Sequence, residues 1–169
     1  FSQIVDSPAA PYFNALAAKG ALLTNSYGVT HPSQPNYIAL FAGTIDGVSK
    51  NTCPTSLTVP NLSSTLTQAG QTFIGYAEDL PAVGSIECVA GAYVRKHNPW
   101  VNWQSSPINT VPAANNRPLT DFPTDFSTLP TVSIVVPNQQ NDMYDGKDPD
   151  RIQRADQWLQ THLDRYVEW

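Results

Sequence analysis

Thr131-Val132-Ser133-Ile134-Val135-Val136, stopped by Pro137, is the stretch on which the fold turns. Its almost unbroken β-branched run is the pattern of a strand covered on both faces, which belongs to a parallel sheet between helices. Working back along the chain, residues 72–76 read as a second short strand, preceded by a helix over 61–69. Asn61 is placed as its N-cap, Leu62 and Leu66 share a face, and Gly70 ends it. Another helix covers 36–42, opened by Pro35 and closed by Gly43. Residues 21–27 read as a third strand. A first helix over 9–19 carries Tyr12, Ala15, Leu16 and Ala18 at helical spacing and stops at Gly20. Downstream, 150–169 is the longest helix, with Ile152, Ala155, Leu159, Leu163 and Tyr166 along one side.

Helices alternating with short apolar strands predict an α/β fold, a layered sheet with flanking helices, in a single domain over 1–169. Three strands are few for such a sheet. None precedes the first helix or follows the last, so the sheet is expected to be partial and the chain to be cut short at both ends. Residues 81–130 are mostly loop, with Trp100, Trp103, Phe122 and Phe126 inside it. A loop region of that length is usually functional. Trp100 and Trp103 are expected to wall a site for an apolar or base-bearing leaving group.

Composition narrows the class. The 41 % hydrophobic content supports a packed core. A net charge of −5 with no basic cluster beyond Arg95-Lys96-His97 argues against nucleic acid as a partner. No apolar run reaches the roughly 20 residues of a membrane span. Charged residues are sparse at 14 % while Pro numbers 15, a balance common in extracellular enzymes. Cys53 and Cys88 lie in Pro-rich loops and are read as a disulfide formed in an oxidising compartment; the alternative is two buried thiols. Together these point to a secreted, extracellular or periplasmic location. The oligomeric state stays open.

Chemistry concentrates in Thr30-His31-Pro32-Ser33-Gln34-Pro35-Asn36-Tyr37, which runs straight into a helix. Ser33 stands where loop becomes helix, so free N–H groups and the positive dipole end can hold an anion there. Pro35 has no N–H to lose in the first turn. Asn36, one turn on from Ser33, can aim its amide at the same anion. A nucleophilic hydroxyl, a dipole and an amide donor are what phosphoryl transfer through a phosphoserine requires. The plainer alternative is that Ser33 is an ordinary N-cap. No Gly-x-Ser-x-Gly elbow is present, so ester hydrolysis by Ser33 with His31 lacks an oxyanion motif.

His-Pro-Ser-Gln-Pro-Asn-Tyr (31–37), Tyr-Ala-Glu-Asp-Leu-Pro (76–81), Tyr-Val-Arg-Lys-His-Asn-Pro-Trp (93–100) and Val-Pro-Asn-Gln-Gln-Asn-Asp-Met-Tyr-Asp-Gly (136–146) occur in an order that resembles one known family. It is the phosphoesterase family of bacterial acid phosphatases and phosphatidylcholine-type phospholipases C, in the alkaline-phosphatase superfamily. The resemblance covers the whole chain and implies hydrolysis of small-molecule or lipid phosphate esters, with an alkaline-phosphatase-like sheet. It implies Ser33 as nucleophile, Asn36 on the phosphate and His97 near it as a proton donor. His31 shares Ser33's side of an extended segment and could do the same or merely pack. Asp142 and Tyr144 are placed at the phosphate, at the carboxyl end of the 131–136 strand where α/β sheets bind ligands; Asp142 and Asp145 could instead merely cap a turn. The family usually has His where Tyr144 stands; a phenol, with its pKa near about 10, is a poor acid catalyst at neutral pH. Glu78 and Asp79 orient a site residue or end a strand.

The superfamily implies a divalent metal ion that activates the nucleophile. The resemblance implies that its ligands lie outside this chain, in a Glu-Asn pair just before a stretch like Phe1-Ser2-Gln3-Ile4 and in an Asp-rich motif beyond Trp169; within it, three scattered histidines offer no ligand spacing to replace them. A secreted phosphate- or ligand-binding member that has lost catalysis is therefore the alternative function.

Overall fold

The computed structural model describes residues 3–169. In chain order its helices and strands are α1 (Pro11–Lys19), α2 (Ser33–Ala42), α3 (Leu62–Gln68), β1 (Phe73–Ala77), β2 (Val89–Ala90), β3 (Tyr93–Val94), β4 (Asn116–Pro118), β5 (Val132–Val136) and α4 (Asp150–Glu168). Five short 3-10 turns punctuate residues 95–128. The chain forms two compact units. One holds 28–138; the other joins 139–169 to the described residues up to Tyr27.

The larger unit is built on a three-stranded sheet in the order β4-β1-β5, parallel throughout. Phe73 to Ala77 pair in step with Val132 to Val136. At the entrance of the sheet, the Thr131 N–H donates to the Thr72 hydroxyl (3.0 Å) and the Thr72 N–H to the Thr131 hydroxyl (3.2 Å). At the exit, Glu78 accepts from the Asn138 N–H (2.9 Å) and Asp79 from its side-chain amide (2.7 Å). Glu78 and Asp79 thus tie the ends of β1 and β5 together. The expected strands at 72–76 and 131–136 are present, within a residue of their predicted bounds. Val132 to Val135, however, are only half-buried, and Val136 alone is fully so. β5 lies at the edge of this sheet, so one of its sides goes without the cover that its β-branched run predicts.

Residues 21–27 form no strand and are exposed. A strand exists through its ladder, and this segment pairs with none of the described strands; Thr24-Asn25 make a turn instead. The third strand of the main sheet is β4, which the sequence does not announce. Its Pro118 lacks a donor and suits only an edge, and it is held there by the wholly buried Asn116. That amide accepts from the Trp100 indole N–H (2.7 Å) and donates to the Ser85 carbonyl (2.9 Å).

The core gathers Ile38 and Phe41 of α2, Phe73 of β1, Trp100 and Trp103. Phe41 packs on Phe73 with ring centroids 5.1 Å apart and on Trp103 at 5.6 Å. Trp100 and Trp103 are 0 % exposed, and the Trp103 indole donates to the Val59 carbonyl (2.8 Å). This corrects the expectation that they wall a substrate site. Their indoles bury large apolar areas, and each N–H finds a fixed acceptor, which is how such side chains serve a core. α3 is capped as expected: Asn61 and Ser64 exchange side-chain bonds at the helix start.

In the smaller unit, α1 packs on α4. Ala10, the N-cap of α1, contributes no side-chain bond. Asp156 of α4, 3 % exposed, supplies it instead, accepting from the N–H groups of Tyr12 (3.1 Å) and Phe13 (2.8 Å). A carboxylate at a helix N-terminus answers both the orphan donors and the dipole. On the helix face predicted for α4, Ile152 and Ala155 are buried, Leu159 and Leu163 half-buried, and Tyr166 exposed. His162 is exposed, as a surface residue should be, beside Trp158 (4.8 Å between centroids).

Burial, then the negative charges of Asp164, Glu168 and Asp156, push the Tyr12 phenol from 10.0 up to about 12. The fold therefore favours the neutral phenol. That contribution is complete below pH 10 and is lost as pH rises through about 12. Burial also raises the Tyr76 and Tyr93 phenols, so a phenolate titration should show several late-ionising tyrosines, of which the one near pH 12 disappears in Tyr12→Phe. Ionisation of every tyrosine near the ordinary value would contradict this.

Candidate active site

Ser33 is the first residue of α2, three residues earlier than the helix was predicted to begin. The N-cap is Pro32, extended at φ −81°, and it gives no side-chain bond. Ser33 is therefore not the N-cap that the plainer reading made it. Three N–H positions open the first turn at Ser33, Gln34 and Pro35. Proline has none, and the Gln34 N–H donates to Asn51 Oδ1 (3.0 Å). The Ser33 N–H and hydroxyl, at the half-buried start of the helix, take no protein partner among the described residues.

The side chains on either side fix this point. Gln34 is 2 % exposed and behaves like a strand neighbour of Thr52. Its Oε1 accepts from the Thr52 N–H (2.6 Å), and its Nε2 donates to the Thr52 carbonyl (3.0 Å) and the Thr55 hydroxyl (3.3 Å). Thr52 adjoins Cys53, which forms the expected disulfide with Cys88. The Cys88 carbonyl in turn accepts from the Arg95 N–H (3.0 Å).

Asn36 uses its amide on the loop in front of Ser33. Oδ1 accepts from Val29 (2.9 Å) and Thr30 (3.2 Å), while Nδ2 donates to the carbonyls of Thr30 and Pro32, both at 2.8 Å. The amide thereby clasps the 28–32 loop. Asn36→Asp keeps the acceptors, removes both donors and sets a carboxylate against two carbonyls. It should lower stability by about 1–3 kcal/mol, read as a shift of the urea midpoint; an unmoved midpoint would show that the clasp contributes nothing.

His97 lies in the turn Arg95–His97, against which α2 packs. It is 4 % exposed, with its ring 5.0 Å from that of Tyr37, one helical turn beyond Ser33. His31 is exposed and follows Thr30 directly in the clasped loop. Ser33, Asn36 and His31 thus share one helix start, while His97 packs on Tyr37 one turn further along the same helix. Asp142 and Tyr144 belong to the other compact unit. There Asp142 Oδ1 accepts from the Tyr144 N–H (2.8 Å), closing a turn, and Tyr144 is 60 % exposed. Arg154 of α4 holds the same loop through the carbonyls of Gln140 and Asp145.

Among the described residues no group of three or more His, Cys, Asp or Glu could hold a metal ion. Both cysteines are committed to the disulfide and supply no thiolate. The residues present therefore do not fit a divalent metal by themselves. Sequence reasoning missed Gln34 and Asn51. The only signal was an amide side chain confined between Ser33 and Pro35, where a loop must close on it.

The chain is similar to several known phosphatases. The chain is 49 % identical to a phosphatidylinositol-3-phosphatase of Mycobacterium tuberculosis, over 98 % of this chain and 54 % of that protein. It is 37 % identical to an acid phosphatase of Aspergillus fumigatus, over 77 % of this chain and 31 % of that protein. A probable acid phosphatase of Kluyveromyces lactis is 32 % identical, over 90 % and 38 % respectively. The chain therefore spans about half the length of the first of these relatives and about a third of the other two. No solved structure matches it. The model of the phosphoesterase family matches residues 4–169, and the chain belongs to that family.

Proposed function

We propose that residues 1–169 belong to one phosphoesterase domain that hydrolyses phosphate esters through a covalent phosphoserine on Ser33. The observation that carries this reading is the open N–H and hydroxyl of Ser33 at the start of α2, in a chain of the phosphoesterase family. In the first step the Ser33 Oγ–phosphorus bond forms and the ester P–O bond breaks, releasing an alcohol. In the second, water attacks the phosphoserine and frees inorganic phosphate and the serine. The Ser33 N–H and the α2 dipole stabilise negative charge on the phosphoryl oxygens. His97 protonates the departing alkoxide. His31, and Asn36 once it exchanges a carbonyl partner for a phosphate oxygen, contact the phosphate.

The substrate is a small-molecule or lipid phosphate ester. Acid phosphatase activity is suggested by the fungal relatives, a phosphoinositide headgroup by the mycobacterial one, and phospholipase C-type cleavage by the motifs. A divalent metal is part of the reading, with donors other than the described residues. A secreted, extracellular or periplasmic location accords with the disulfide.

The test is release of phosphate from a chromogenic monoester across a series of added divalent metals. Metal-stimulated turnover is expected. Saturable phosphate binding with no turnover under any metal would contradict catalysis and support a binding member of the family.

A further inference from the structure

Arg95 is a buried cation that the proposed chemistry does not use. It is 7 % exposed, and among the described residues no Asp or Glu pairs with it. Instead it lies among backbone dipoles. Nη1 donates to the Ile86 carbonyl (3.0 Å), and Nη2 to the Thr55 carbonyl (2.9 Å), with Val101 and Asn102 further off. Nε–H is buried and has no acceptor among the described residues. Of the five N–H groups of a guanidinium, that one and one on Nη1 remain unused. Carbonyls solvate a charge but do not neutralise it, and a buried charge without a counter-ion is costly. Burial accordingly pulls the Arg95 pKa down.

Arg95 lines a pocket of about 230 Å³. Pro54, Ile86 and Val101 give it apolar walls, and Ser56 and Ser105, both exposed, also line it. We propose that this pocket is a second anion site, which takes an oxyanion carried on a short apolar group and sets it against the Arg95 guanidinium. The anion supplies the missing counter-charge, the serine hydroxyls donate to its outer oxygens, and the apolar group lies on Ile86 and Val101. The site is distinct from Ser33 but adjoins its supports: the Thr55 carbonyl accepts from Arg95, and the Thr55 hydroxyl accepts from Gln34.

Propylphosphonate is a suitable probe, because its C–P bond is not a phosphate ester link. The buried Arg95 Nε–H should give a resolved nitrogen–proton NMR signal, assigned by its loss in Arg95→Lys. Titration with propylphosphonate should shift that signal saturably in the wild type and equally in Ser33→Ala. Ser105→Glu, at an exposed position, adds a carboxylate to the lining and should weaken binding by at least about tenfold, or 1.4 kcal/mol. The proposal is overturned if the signal does not shift or chloride at equal ionic strength shifts it equally. It is also overturned if Ser33→Ala abolishes the shift, or if Ser105→Glu leaves the affinity unchanged. Because the readout is binding at Arg95, it stands or falls separately from catalysis by Ser33.

Discussion

Ser33→Ala should reduce phosphate monoester turnover by about a thousandfold or more. The change removes one oxygen at a position where nothing in the fold depends on it. The Ser33 hydroxyl bonds to no protein group among the described residues, and the N-cap is the preceding Pro32. Stability should therefore stay within about 0.5 kcal/mol of the wild type, while the nucleophile is gone. That combination separates the roles: a helix-capping serine would cost about 1 kcal/mol of stability on the same substitution and leave chemistry intact. Urea unfolding and steady-state kinetics on one preparation measure both. Unchanged turnover in Ser33→Ala would remove Ser33 from the mechanism.

Trp100→Ala should have the largest effect on stability, about 4 kcal/mol. Trp100 is 0 % exposed and lies directly over β1, where a Cβ on Gly75 would come within 2.3 Å of the indole. The glycine is needed there for close approach. Removing the indole opens a cavity above the central strand and takes the Trp100 donor away from Asn116 Oδ1, in a wholly buried amide that holds β4 in place. Loss of the cooperative transition in chemical denaturation, or a large fall in its midpoint, is the expected result. A folded Trp100→Ala protein of normal stability with altered substrate preference would instead restore the aromatic-wall reading that this packing rejects.

Ser33 was legible in the sequence, and Trp100, expected to wall a site but buried in the core, was not. Helix ends were written in local chemistry: Gly20 and Gly43 close α1 and α2, and Asn61 caps α3. β1 and β5 stood out through apolar, β-branched content. β4 did not, since Asn-Arg-Pro has no strand signature and pairs only because Asn116 is anchored by Trp100 and Ser85. Residues 21–27 failed in the opposite way, having apolar content but no ladder partner. At the site, Ser33 was legible because a loop-to-helix junction with prolines around it limits the local geometry. Its supports were not. Gln34 reaches Thr52 and Thr55 across 18 and 21 residues, and Asp156 caps α1 from 144 residues away, pairings that only the folded chain brings about.

The most direct test of the central claim is to mix the protein with a phosphate monoester, quench in acid within one turnover, digest, and map phosphate by mass spectrometry. A phosphopeptide modified at Ser33, formed fast enough to account for turnover and absent in Ser33→Ala, is the predicted result. Turnover with no phosphoserine at Ser33 at any quench time, or phosphate on a different residue, would contradict it.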